Sequence, residues 1–158
     1  MTARVSLQDQ LTGNHCFGCG PENAQGLRIK SYWSDVPGEV ICEFQAQKHH
    51  NAGTAKILNG GIIATVLDCH CVITAIAQAY KDAGREVGQG EAIWFVTGSF
   101  DLRYQAPALL AAPVFLTARV TESWEKKSII SCDLKSGDIV CTTATMTAIR
   151  VPPEWHDV

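Results

Sequence analysis

The chain lacks an excess of charge of either sign. Only 18% of its 158 residues are Asp, Glu, Lys or Arg, and the net charge is −3. With a pI near 5.9, this balance argues against a general binder of nucleic acid or of anionic membranes. An even cysteine framework is also missing: seven cysteines are scattered through strand-like runs, a helix-like run and the amino-terminal region. That pattern reads as reduced thiols in a cytosol rather than the disulfides of a secreted scaffold. The opening stretch MTARVSLQDQLTGNH has no apolar core of the signal-peptide kind, so export is not expected. No repeat, low-complexity tract or long linker divides the 158 residues. A single domain over 1–158 is expected, long enough to bury roughly 70% of its unfolded surface.

Residues 57–80 contain no Lys, Arg or Glu, which raises the question of a membrane span. Asn59, Gly60, Gly61, Asp68, His70 and Gln78 make it a poor one, and no basic flank sets an orientation. A buried helix is the better reading, capped near Asn59 and running to about Tyr80, where KDAGREVGQGE breaks it. Before it, residues 1–26 form a polar, Gly-rich lead-in, and LRIKSYWS and EVICEFQA flank the turn DVPG. Val40, Cys42 and Phe44 alternate with polar or outward positions, as in a half-buried strand. After the helix come IWFVTGSFDLRYQAP, PVFLTARVTESWE, SIISCDLK and DIVCTTATMTAIRV, all strand-like. The order predicts an α+β fold: one long helix wrapped by an antiparallel sheet of five to six strands. Because the helix is apolar nearly all round, a second copy of the chain is the economical cover for its other side.

Within LNGGIIATVLDCH, Asp68 interrupts an apolar helix, and a buried carboxylate costs several kcal/mol unless it is paired, bonded or protonated. Gly60 and Gly61 stand at the helix start, where free N–H groups and about half a positive charge suit a developing oxyanion. Glycine there lets a carbonyl approach the backbone. Asp68 would orient or deprotonate water, or attack directly. Yet seven residues at ~1.5 Å rise separate Gly61 from Asp68 by about 10 Å. Donor and base must meet at one reacting centre, so two antiparallel helices across a two-fold axis are needed. A helical wheel puts Gly61, Ala64, Thr65, Asp68, Val72 and Ala75 on one small-residue side, which permits close approach of a partner helix or a thin acyl chain. The plain structural alternative is a buried carboxylate bonded to a helix terminus or a Thr.

GGIIATVLD followed by SFDLRYQAPALLAAPVFLTARV, with the lead-in NHCFGCGPENAQGL, resembles the hotdog-fold thioesterases of the PaaI type over about residues 14–151. The resemblance rests on a Gly pair before the central helix and an acidic residue seven positions later, here Gly61 and Asp68. Asn59 stands where that family usually has His. The resemblance implies a hotdog fold, a homodimer or dimer of dimers with sites at the interface, and hydrolysis of acyl-CoA. It needs no metal and no cofactor beyond the coenzyme A of the substrate. It further implies Asp68, Gly60 and Gly61 as catalytic. Asn59 would donate to the carbonyl pocket or simply cap the helix. Asn51 would position the carbonyl or water. Ser99, or Thr97 nearby, would hold the attacking water. Thr65 and Val72 would line the acyl site.

Rival readings are a non-catalytic acyl-CoA binder, marked by Asn59 in place of His, and a hydratase or dehydratase using His49 or His50. Asp101 and Arg103, two apart on a strand, read as a surface pair. Cys69 and Cys71 read as small apolar fillers. His15, Cys16 and Cys19 have zinc-knuckle spacing, but only His49 and His50 offer further ligands, so a Gly-rich turn is the default. Arg103, Arg119, Lys126, Lys127 and Arg150 are the cations available to coenzyme A phosphates. A cytosolic protein without nucleic-acid or membrane partners is expected.

Overall fold

The computed structural model describes residues 4–157; residues 1–3 and 158, at the two ends of the expected domain, lie outside that range. Strands β1 (Ser31–Trp33) and β2 (Glu39–Phe44) precede one helix, α1 (Gly60–Asp82). Strands β3 (Trp94–Tyr104), β4 (Val114–Ser123), β5 (Lys127–Ser136) and β6 (Ile139–Val151) follow. All pair antiparallel in one six-stranded sheet of order β1-β2-β4-β5-β6-β3. This is the expected hotdog architecture, with α1 lying along the sheet.

Period-two alternation aims one face of each strand at the helix. Val40, Cys42 and Phe44 on β2, Leu116 and Ala118 on β4, Ile130, Cys132 and Leu134 on β5, and Ala144, Met146 and Ala148 on β6 are all buried. Against them α1 buries Ile63, Val66, Leu67, Ile73, Ile76 and Tyr80. By length and composition α1 would suffice to cross a membrane, but here it is the core helix of the sheet. Gly61, Ala64, Thr65, Asp68 and Val72 remain exposed or half-buried, whereas Ala75 from the same wheel face is buried. The small-residue stripe is thus the open side of the helix.

The helix ends as its sequence dictates. Gly84 takes φ +68, which only glycine adopts readily. Its N–H donates to the Lys81 carbonyl at 2.9 Å and that of Arg85 to the Tyr80 carbonyl at 2.9 Å, a Schellman closure. The helix runs two residues past the expected end at Tyr80. β1 is much shorter than the LRIKSYWS run. Leu27 and Ile29 instead donate their N–H groups to Phe17 and Gly18, so this segment serves the lead-in rather than β2.

That lead-in is irregular but anchored. Gln8, Ser31 and His70 are buried and form a chain of hydrogen bonds. Gln8 Nε2 donates to Ser31 Oγ at 2.9 Å, and Gln8 Oε1 accepts from the Ser31 N–H at 2.7 Å. His70 lies 2.8 Å through Nδ1 from Ser31 Oγ and 3.1 Å through Nε2 from the Val40 carbonyl. A carbonyl only accepts, so Nε2 carries the proton and Nδ1 accepts from the serine. His70 therefore points into the sheet, away from the open stripe.

Candidate active site

The helix presents two groups of candidate residues, one at its start and one two turns on. At the start, Asn59 Oδ1 accepts from the N–H groups of Gly61 at 2.7 Å and Ile62 at 3.2 Å. Asn59 is therefore the helix cap. The Gly61 N–H is engaged by that cap, while the N–H of Gly60, at the first helical position, meets no acceptor among the described residues. Tyr104 on β3 donates its hydroxyl to the Gly60 carbonyl at 2.7 Å. The atoms nearest to a Cβ built at Gly60 belong to Tyr104, at 3.7–3.8 Å, ordinary contact distance, so this backbone is approachable. Asn51 bridges to Leu58 just before the helix and spends its side-chain amide on the Ala52 carbonyl at 2.8 Å.

Two turns later Asp68 lines a cleft of ≈ 280 Å³ between α1, β3 and the lead-in. Leu11, Val72, Ile73, Ile76, Trp94 and Phe95 make most of its wall apolar. Thr97 donates its hydroxyl to Asp68 Oδ1 at 2.6 Å. Burial pushes the Asp68 carboxyl above the usual carboxylate range, opposed by the Thr97 hydroxyl and aided by nearby Cys16. One oxygen is thus oriented, and the other takes no hydrogen bond from the described residues.

A β-bulge decides which hydroxyl reaches the carboxylate. Thr97 pairs with Ala148 and Ser99 with Thr147 on β6, so Gly98 is the extra residue. Residues opposite one another share a sheet face, and a bulge breaks that alternation. Thr97 shares the inward face of buried Ala148, and Ser99 lies on the other face. A Cβ at Gly98 would sit 2.6 Å from Ile149 Cγ1, so glycine permits the bulge. The structure brings Thr97, Val72 and Asp68 together and does not bring Ser99 to them. Thr65 lies between the two groups, its hydroxyl donating back to the Gly61 carbonyl at 3.0 Å.

The other candidates are elsewhere. His50 stacks on Phe44 with ring centroids 6.0 Å apart and accepts from the Gln47 N–H at 3.1 Å. With His49 it lines a separate hollow beside Phe17 and Ile62. Asp101 and Arg103 form an exposed pair at 3.5 Å. Arg119 is held by Glu39 at 2.7 Å, and Lys127 sits over the Trp124 ring at 4.8 Å.

Sequence reasoning missed one group on the cleft wall. Cys69, read as a filler, meets Cys16 and Cys19 of the lead-in. Contacts with the Cys19 and Cys69 thiols hold the Cys16 thiol low, while contacts with Cys16 and Cys19, together with burial, push the Cys69 thiol up. His15 instead pairs with Glu22 at 3.3 Å. Only the glycines of CFGCG hint in the sequence that a loop packs this closely on a helix.

No family model matches the sequence, and neither does any curated protein. Solved structures do. A thioesterase superfamily protein from Shewanella loihica PV-4 is 25% identical, with TM-score 0.63 over 88% of this chain and 96% of that one. A phenylacetic acid degradation-related protein from Ralstonia eutropha JMP134 is 18% identical, with TM-score 0.61 over 78% and 85%. A thioesterase from Haemophilus influenzae shares the fold at TM-score 0.67 over 85% and 86%, with 10% identity. Helix, sheet order and these likenesses together show that the chain has the hotdog fold, shared with solved structures of thioesterase superfamily proteins.

Proposed function

We propose that the protein is a cytosolic acyl-CoA thioesterase, hydrolysing its substrate to a free acid and coenzyme A with no metal in the reaction and no cofactor. Asp68 removes a proton from water as the water oxygen attacks the thioester carbonyl. The oxyanion is met by the Gly60 N–H of the partner subunit, at the positive end of its helix. Gly61 of that subunit joins only if its Asn59 releases the N–H. Collapse of the tetrahedral intermediate breaks the carbon–sulfur bond, and the leaving thiolate takes up the proton held by Asp68. Direct attack by Asp68 through an anhydride gives the same products.

The observation that carries this reading is the oriented, half-buried Asp68 in an apolar cleft, on a fold whose solved relatives include thioesterases. The subunit arrangement follows from distance. Gly60 and Asp68 of one helix are separated by about 12 Å of rise, too far for one carbonyl. Two further features favour a second copy: the open small-residue stripe on α1, and the eleven-residue edge strand β3. A long unpaired edge is a template for pairing. A homodimer, or a dimer of dimers, uses both.

Release of free thiol from a panel of short, long and aryl acyl-CoAs tests the reading. Wild type turns over at least one substrate, and a folded Asp68→Asn variant loses about 100-fold or more of kcat. Tight acyl-CoA binding by wild type with no thiol released would point instead to a binding protein, consistent with Asn59 covering the Gly61 donor.

A further inference from the structure

Cys16, Cys19 and Cys69 take no part in the hydrolysis proposed above. Their three sulfurs nevertheless lie within 4.8 Å of one another, on the wall of the cleft that holds Asp68. Cys16 and Cys69 are 53 positions apart in sequence, yet their sulfurs are 3.7 Å apart. In a tetrahedral site with Zn–S bonds of about 2.3 Å, adjacent sulfurs are separated by about 3.8 Å. The Cys-x-x-Cys spacing of the lead-in is that of a zinc knuckle.

The loop is built around these sulfurs. The Gly20 N–H closes the turn on the Cys16 carbonyl at 2.8 Å. Asn14 accepts the Cys16 N–H at 3.1 Å through Oδ1 and holds its amide 3.9 Å from the Cys19 sulfur. A Cβ at Gly18 would lie 2.2 Å from the Cys69 sulfur, and one at Gly20 would lie 2.4 Å from the Cys16 nitrogen. Glycine at both positions is what lets the loop deliver two thiols onto a third. A disulfide joins only two sulfurs and leaves the third without a role; a thiophilic metal ion uses all three.

We propose that Cys16, Cys19 and Cys69 bind one zinc-class divalent ion that clasps the lead-in to the central helix beside Asp68. The sulfurs coordinate as thiolates, releasing to solvent whatever protons they carry, with no change of oxidation state. Solvent from the cleft supplies the fourth ligand. Soft thiolates select zinc over magnesium or calcium. The inference does not rest on the thioesterase reading.

The test uses the full, untagged chain purified under reducing conditions without chelator. Elemental analysis should find one zinc per chain. The metal-stripped protein, titrated with cobalt(II) alone, should develop a tetrahedral spectrum with thiolate-to-metal charge-transfer bands. Cys69→Ser and Cys16→Ser should each weaken binding by about 100-fold or more, while Cys141→Ser on β6 and Asp68→Asn leave it intact. Should the cysteine variants misfold, wild type alone suffices: zinc should shield Cys16, the one exposed cysteine, from alkylation. The proposal is overturned if the reduced chain binds no cobalt, if Cys69→Ser binds as well as wild type, or if zinc leaves Cys16 alkylation unchanged. A Cys16–Cys19 disulfide in the freshly purified chain would equally overturn it.

Discussion

The hydroxyl of Thr97, 2.6 Å from Asp68 Oδ1, is the smallest feature on which the proposed site depends. A hydrogen bond to a charged group contributes about 1.5–3 kcal/mol. Thr97→Val keeps the shape and removes the donor, so kcat should fall about tenfold or more with KM little changed. Ser99→Ala, on the opposite sheet face, should leave kcat within about twofold. Steady-state kinetics on the best acyl-CoA of the panel distinguishes the two, and equal losses for both would show that Thr97 has no special place. The sequence offers Thr97 and Ser99 as near equals because strict alternation gives them one face. Only the bulge at Gly98, which depends on how β3 packs against Ile149 of β6, separates them. Asp68 itself is legible without a structure, since an acid in an otherwise apolar helix needs a reason.

At the scale of elements, the chain joining Gln8, Ser31 and His70 ties the lead-in, β1, β2 and α1 together. Burial drives the His70 imidazole down from 6.5 to about 4, only partly offset by its bond to the Val40 carbonyl. The folded value lies below the unfolded one, so between them the unfolded chain binds the extra proton. Stability is full above about pH 6.5 and is lost as pH falls toward 4, by a sum on the order of 3 kcal/mol. Urea midpoints measured from pH 7.5 to 4.5 should fall accordingly, and a folded His70→Gln variant, less stable at pH 7.5, should show a shallower decline. Equal slopes would remove His70 as the cause. The helix is readable in sequence from Asn59 onward because its cap, apolar run and glycine stop are local signals. The short β1 is not, because Leu27 and Ile29 are claimed by backbone groups of Phe17 and Gly18. The Cys16–Cys69 approach is hidden for the same reason: no local pattern records a contact across 53 positions.

For the whole molecule, the proposed chemistry turns on one distance: Asp68 and Gly60 lie on one helix, about 12 Å of rise apart. The sequence contains that argument in full, because rise per residue and spacing suffice. The open stripe on α1 is where the proposed second chain would fit. Two variants divide the site. Asp68→Asn removes the proposed base. Gly60→Pro removes the proposed oxyanion donor at a position where proline is tolerated, since it is the first of the helix and Asn59 before it is already extended. Each alone should be nearly inactive. Mixed by unfolding and refolding together, half the dimers carry one chain of each kind, and each of those has one intact site of two. Thiol release from the mixture should therefore recover to about a quarter of the wild-type rate. A mixture no more active than its two parents, with refolded wild type fully active, would contradict an active site shared between subunits.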